Sequence, residues 1–78
     1  MEDLFDKTIP PKNAGFEIIH SATVKNDRTV KIVIAVKKIA AGRNEFVTWA
    51  YINGAFCWGH YFSSFNAATE DFNKRIQG

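Results

Sequence analysis

From residue 16 onward, apolar and polar positions alternate with the period of a strand. Phe16, Ile18, His20, Ala22 and Val24 fall on one side of a predicted strand Phe16–Lys25. Glu17, Ser21, Thr23 and Lys25 fall on the other, and Ile19 breaks the pattern. Asn26-Asp27-Arg28 reads as a polar turn. The second predicted strand, Thr29–Lys38, sends Val30, Ile32, Ile34 and Val36 one way. Thr29, Lys31, Val33, Ala35 and Lys37 go the other way. Ala40–Asn44 is a connection. Two further strands, Glu45–Ile52 and Ala55–Phe62, flank Asn53-Gly54, a pair that tolerates the positive φ of a type I′ hairpin turn. At the C-terminus the period changes: Phe65, Ala68, Phe72 and Ile76 recur at helical spacing. Ser64 or Asn66 is placed to cap that helix, and Gly78 to stop it. Glu70 and Asp71 lie toward its start. Each stands four residues before a cation, Lys74 or Arg75, in the favourable order.

These elements predict an α+β fold, ββββα. Two β-hairpins form a four-stranded antiparallel sheet, and one C-terminal helix packs on one of its faces. Residues 1–14 read as a flexible arm, because Pro10-Pro11 opposes ladder pairing there, with Leu4 and Phe5 available to dock it. Residues 15–78 form the single domain. A chain of 78 residues is one domain by length. The one cysteine, Cys57, forbids an intramolecular disulfide and suits a reducing compartment. The acidic first residues lack an apolar run, and no apolar stretch is long enough to span a bilayer. A cytoplasmic location with no membrane partner is therefore expected.

A two-residue turn at Asn53-Gly54 sorts the second hairpin into two unlike faces. Ile52, Tyr51, Ala50, Trp49, Thr48 and Val47 are expected opposite Ala55, Phe56, Cys57, Trp58, Gly59 and His60 respectively. One face then holds Val47, Trp49, Tyr51, Phe56, Trp58 and His60. The other holds Phe46, Thr48, Ala50, Ile52, Ala55, Cys57, Gly59 and Tyr61. Either the helix covers the aromatics, as base rates of aromatic burial favour, or it sits on the smoother face and leaves the aromatics as an interaction platform. In the second case Trp49, Tyr51, Phe56 and Trp58 are the partner-binding residues, with Lys31 and Lys37 as a polar rim.

Chemistry is not expected. Cys57 and His60, three apart on a strand, point to opposite faces unless Gly59 hosts a bulge. His20 and His60 alone are too few for zinc, so no metal and no cofactor are expected. Ala41-Gly42-Arg43 does not open a helix and is no phosphate loop. The net charge of +2 leaves nucleic acid open without requiring it. Lysines beside aromatics make a single-stranded nucleic-acid module one alternative, and a homodimer formed through the sheet is another.

The segment Phe56-Cys57-Trp58-Gly59-His60-Tyr61-Phe62, with Ala68 and Asp71-Phe72-Asn73-Lys74-Arg75, resembles small accessory proteins of bacteriophages and mobile elements, some of them anti-CRISPRs. The resemblance covers the last third of the chain. It implies a compact, non-enzymatic inhibitor that blocks a bacterial defence complex by stoichiometric protein–protein contact. The slightly positive charge departs from the acidic surface of a DNA mimic and points to steric blocking instead.

Overall fold

The computed structural model describes residues 9–78. Five strands and a helix follow in chain order: β1 Lys12–Asn13, β2 Phe16–Val24, β3 Asp27–Ala40, β4 Arg43–Ile52, β5 Ala55–Phe62 and α1 Phe65–Ile76. The strands form one antiparallel sheet in the order β1-β2-β3-β4-β5. The α+β class and the C-terminal helix agree with the sequence pattern; the four strands in two hairpins do not. The sheet is a continuous meander, because β3 and β4 pair from Val30↔Ile52 up to Ala40↔Arg43 and close over the two residues Ala41-Gly42. What reads as a connection is itself a hairpin turn.

The fifth strand comes from the arm. Proline lacks the N–H but keeps its carbonyl. Pro11 O accepts from Ile18 N at 2.9 Å, and Lys12 and Asn13 pair with Glu17 and Phe16. Ile9 is buried against the body. The described part of the arm is therefore built into the fold, while Leu4 and Phe5 lie outside the described residues.

Both faces of the sheet carry a core. On the helix side Val24, Ile32, Ile34 and Ala50 meet Ala68 and Phe72, with Phe46, Ile52, Cys57 and Phe62 around them. On the opposite side Ile9, Phe16, Val33, Ala35, Val47 and Trp49 pack together. This explains the two continuous buried runs in the central strands, Ile32–Ala35 and Val47–Ala50. A strand covered on both faces has no reason to alternate. The helix therefore sits on the smoother face, where Ala50 lets its backbone approach, and the aromatic side is closed by Ile9 and Phe16.

Ser64 provides the N-cap: its Oγ accepts from Ala67 N at 3.2 Å, a contact worth about 1 kcal/mol. Lys74 and Arg75 occupy the last turn, as the macrodipole favours, whereas the first turn carries no acid. At the other end, Lys25 N donates to Ile76 O at 2.7 Å and ties the β2–β3 turn to the helix terminus. No helix among the described residues is long and apolar enough to cross a membrane.

One side chain sits badly. Thr69 Oγ1 is buried with no hydrogen-bond partner, beside a cleft of about 350 Å³ between α1 and β2. A buried unpaired hydroxyl costs about 1–3 kcal/mol. Thr69→Val keeps the branched shape and removes the oxygen. Its urea midpoint is expected to rise by the equivalent of about 1 kcal/mol. An unchanged or lower midpoint would show that the hydroxyl finds a partner in solution.

Candidate interaction site

The Asn53-Gly54 turn forms as its residues require, with φ of 50° and 83°. It sets Ile52↔Ala55, Tyr51↔Phe56 and Ala50↔Cys57, as expected. The register then slips. Thr48 pairs with His60, Val47 with Tyr61 and Phe46 with Phe62, so two residues, Trp58 and Gly59, stand opposite Trp49. That is a β-bulge. The expected Trp49–Trp58, Thr48–Gly59 and Val47–His60 pairs are replaced.

One packing contact holds the bulge, and one residue is strained by it. Gly59 leaves the space that the Trp49 indole fills: a Cβ there would stand 2.8 Å from Trp49 Nε1 and 3.2 Å from Tyr61 Cε1. Trp58 takes φ of 53°, a left-handed conformation costing a non-glycine residue about 1–2 kcal/mol.

The slip exchanges side chains between faces. Tyr61 moves to the aromatic side, edge-on to Phe16 at 6.0 Å and to Trp49 at 6.5 Å between ring centroids. His60 moves to the helix side. The predicted platform is therefore divided. Trp49 is only 5% exposed, packed against Phe16 and Phe56 at 5.5 and 5.3 Å. Tyr51 and Phe56 are half-buried beside it. Trp58 is 68% exposed and Tyr61 56%. Lys37 holds its ammonium 5.5 Å from the centre of the Phe16 ring, and Lys31 pairs with Tyr51 on the same side of the sheet. Trp58 and Tyr61 are thus the large apolar side chains presented at the β5 edge. Plain alternation puts Tyr61 on the helix side; only the bulge places it here. Beyond Tyr61, a cleft of about 400 Å³ opens at the β3–β4 turn, lined by Ile39, Arg43 and Phe62 among others.

The bulge also places Cys57 and His60 on one face, the one condition under which the sequence lets them share it. Each has another partner. The Cys57 thiol donates to Ala50 O at 3.5 Å, and His60 Nδ1 lies 2.9 Å from Asp71 Oδ2. A carboxylate only accepts, so Nδ1 carries the proton. The same Asp71 oxygen accepts from Thr48 Oγ1 at 2.5 Å, and Arg75 Nη1 donates to both Thr48 O and Thr48 Oγ1 at 3.3 and 3.2 Å. Burial pushes the Asp71 carboxyl up. The hydrogen bonds from Thr48 and His60, and the charges of His60 and Arg75, more than reverse this and hold it below the usual carboxylate range. Asp71 therefore serves a polar clamp between helix and sheet, not the helix N-terminus.

His20 lies far from His60 in the sheet, since β3 and β4 separate their strands, and it stacks on Phe72 at 5.2 Å. The β2 bulge at Ile19 moves His20, Ala22 and Val24 to the helix side, away from Phe16 and Ile18. Among the described residues no group of three or more His, Cys, Asp or Glu side chains is placed to hold a metal ion. No known protein family matches the chain, and neither a curated protein nor a solved structure is significantly similar to it.

Proposed function

We propose that the chain is a non-enzymatic binding protein that acts by stoichiometric contact with another protein, through the β5 edge. The observation that carries this is Trp58: 68% exposed, at a backbone conformation unfavourable for any residue with a side chain. Neither property helps the monomer fold. Bulges re-aim side chains, and strain persists where the surroundings hold it for a purpose. Tryptophan and tyrosine are the common anchors of protein interfaces. Trp58 and Tyr61 are the anchors in this reading, Tyr51 and Phe56 extend them, Lys31 and Lys37 form the rim, and Trp49 supports from below. The resemblance of the C-terminal third to phage accessory proteins makes a bacterial defence complex, in the host cytoplasm, the class of target to examine first.

Trp58→Ala is expected to leave the fold and its unfolding free energy at high dilution within about 0.5 kcal/mol of wild type. It is expected to weaken partner binding by at least about tenfold, the effect of losing an interface anchor. Proteins retained from a bacterial lysate by immobilised wild type and by the variant, compared by mass spectrometry, check this. Equal retention by both would end the assignment of Trp58.

A further inference from the structure

The β3–β4 hairpin outreaches both of its neighbours. The last pair that β2 makes with β3 is Glu17↔Val36, and the last that β5 makes with β4 is Phe46↔Phe62. Beyond these, among the described residues, β3 and β4 pair only with each other, at Lys37↔Glu45, Lys38↔Asn44 and Ala40↔Arg43. Residues 37–45 are thus a two-stranded ribbon that stands clear of the sheet. Every residue from Lys37 to Asn44 is exposed, and none belongs to either core.

The ribbon is basic with an apolar tip. Three cations, Lys37, Lys38 and Arg43, less one acid, Glu45, leave it a formal charge of +2, equal to that of the whole chain. The register shift between Lys38 and Ala40 leaves Ile39 without a cross-strand partner, and Ile39 is 48% exposed. Lysines on an unpaired edge are an ordinary guard against aggregation. An exposed isoleucine between them is the opposite of a guard. Cations flanking one apolar tip complement a ligand whose anionic walls flank an apolar floor.

We infer that the ribbon enters the major groove of double-stranded DNA. That groove is about 12 Å wide and about 8.5 Å deep, and it admits a two-stranded β-ribbon. The strand segment Lys37–Ala40 reaches about 13 Å, at about 3.3 Å per residue, enough to span the depth. Lys38 and Arg43 then meet the phosphate walls, and Ile39 meets the base edges, where a thymine methyl is its apolar match. Lys37 is held back, its ammonium 5.5 Å from the centre of the Phe16 ring. The cleft of about 400 Å³ at the β3–β4 turn sets Asn44 and Ser63 beside Arg43 as further donors for the sugar-phosphate chain. Glu45, the acid at that cleft, stands opposite Lys37. Duplex RNA fits poorly, because its major groove is too deep and narrow for side chains to read. This binding surface does not depend on the assignment of Trp58.

Fluorescence anisotropy of a labelled DNA duplex of about 20 base pairs tests the inference. At about 50 mM salt the full chain is expected to bind with a dissociation constant of about 10 μM or tighter, weakening steeply toward about 200 mM. Lys38→Gln and Arg43→Gln, each folded by circular dichroism, are each expected to weaken binding about tenfold at the lower salt and to reduce the logarithmic salt slope by about 1. Ile39→Ser is expected to weaken it about threefold or more with the slope unchanged. Arg28→Gln removes the same charge at the far end of β3, beyond the screening length, and is expected to stay within about twofold of wild type. No binding to the duplex at the lower salt overturns the inference. So does an Arg28→Gln as damaging as Arg43→Gln, since overall charge and not the ribbon would then be at work. Wild-type affinity in Ile39→Ser overturns it as well, by removing the tip from the groove. A single strand or an RNA duplex bound as tightly as the DNA duplex does the same.

Discussion

Trp49→Ala is expected to lower the protein's stability by about 5 kcal/mol, a large share of the whole, whereas Trp58→Ala, nine residues on in the same hairpin, is expected to leave it near wild type. Trp49 is 5% exposed and its rings meet Phe16, Phe56 and Tyr61. Removing a buried tryptophan to alanine costs about 3–5 kcal/mol, for the lost transfer energy and the cavity left behind. A domain of this size has roughly 4–12 kcal/mol in all. The loss here falls at the upper end, because the indole does two jobs. It forms the centre of the aromatic-side core and it fills the space above Gly59. With that space empty, nothing pins the bulge, and the register of β4 with β5 beyond Cys57 loses its lock. Thermal unfolding followed by far-ultraviolet circular dichroism measures the effect. A Trp49→Ala melting temperature within a few degrees of wild type would show that the aromatic side contributes little to stability. Acrylamide quenching gives a companion reading on the wild type at high dilution: one tryptophan protected, one open.

The contrast between the two tryptophans also marks how far the sequence could be read. Asn53-Gly54 predicted its turn and the first three cross-strand pairs correctly, because a two-residue loop leaves no freedom in register. The prediction failed one pair later. A strand glycine signals a bulge only as one option among several. What decides for the bulge at Gly59 is the indole of Trp49 seated above it, a tertiary contact that no local pattern contains. The helix was legible from its spacing and its serine cap, but the face it covers was not. Aromatic burial favoured one face and small residues the other. Both expectations hold in part, because Ile9 and Phe16 build a second core on the side away from the helix. The described part of the arm departs from its sequence pattern for a similar reason: Pro10-Pro11 removes only its own N–H donors, Pro11 O still accepts from Ile18 N, and the chain pairs into the sheet at Lys12.

The Thr48–His60–Asp71–Arg75 clamp was not foreseen, and it supports the second large prediction. The sequence places Asp71 toward the helix start as a partner of Arg75 and of the macrodipole, yet it also faces Thr48, whose side chain is fully buried in β4. Asp71→Ala removes the acceptor for the Thr48 hydroxyl and for His60 Nδ1, and leaves Arg75 facing Thr48 without its counter-charge. Hydrogen bonds to charged groups contribute about 1.5–3 kcal/mol, and orphaning a buried donor adds to the loss. Because Asp71 keeps some contact with solvent, the expected cost is about 2–3 kcal/mol rather than the larger value of a fully buried pair. Thr48→Val in the Asp71→Ala background should then cost less than in the wild type, since the hydroxyl has already lost its acceptor. A coupling of about 1 kcal/mol between the two sites is expected from a double-mutant cycle. The pH dependence follows in sign. The folded-state carboxyl is held below its unfolded value of about 3.9. Its contribution is therefore complete above that pH and is lost as the pH falls through the lower, folded value. Wild type should lose stability steeply below about pH 4, and Asp71→Ala should lose less over the same interval, so that the two stability curves converge in acid. Urea unfolding at a series of pH values from neutral into that range measures the gap. A gap that stays constant with pH would mean that Asp71 acts by packing and not as an ionised acceptor.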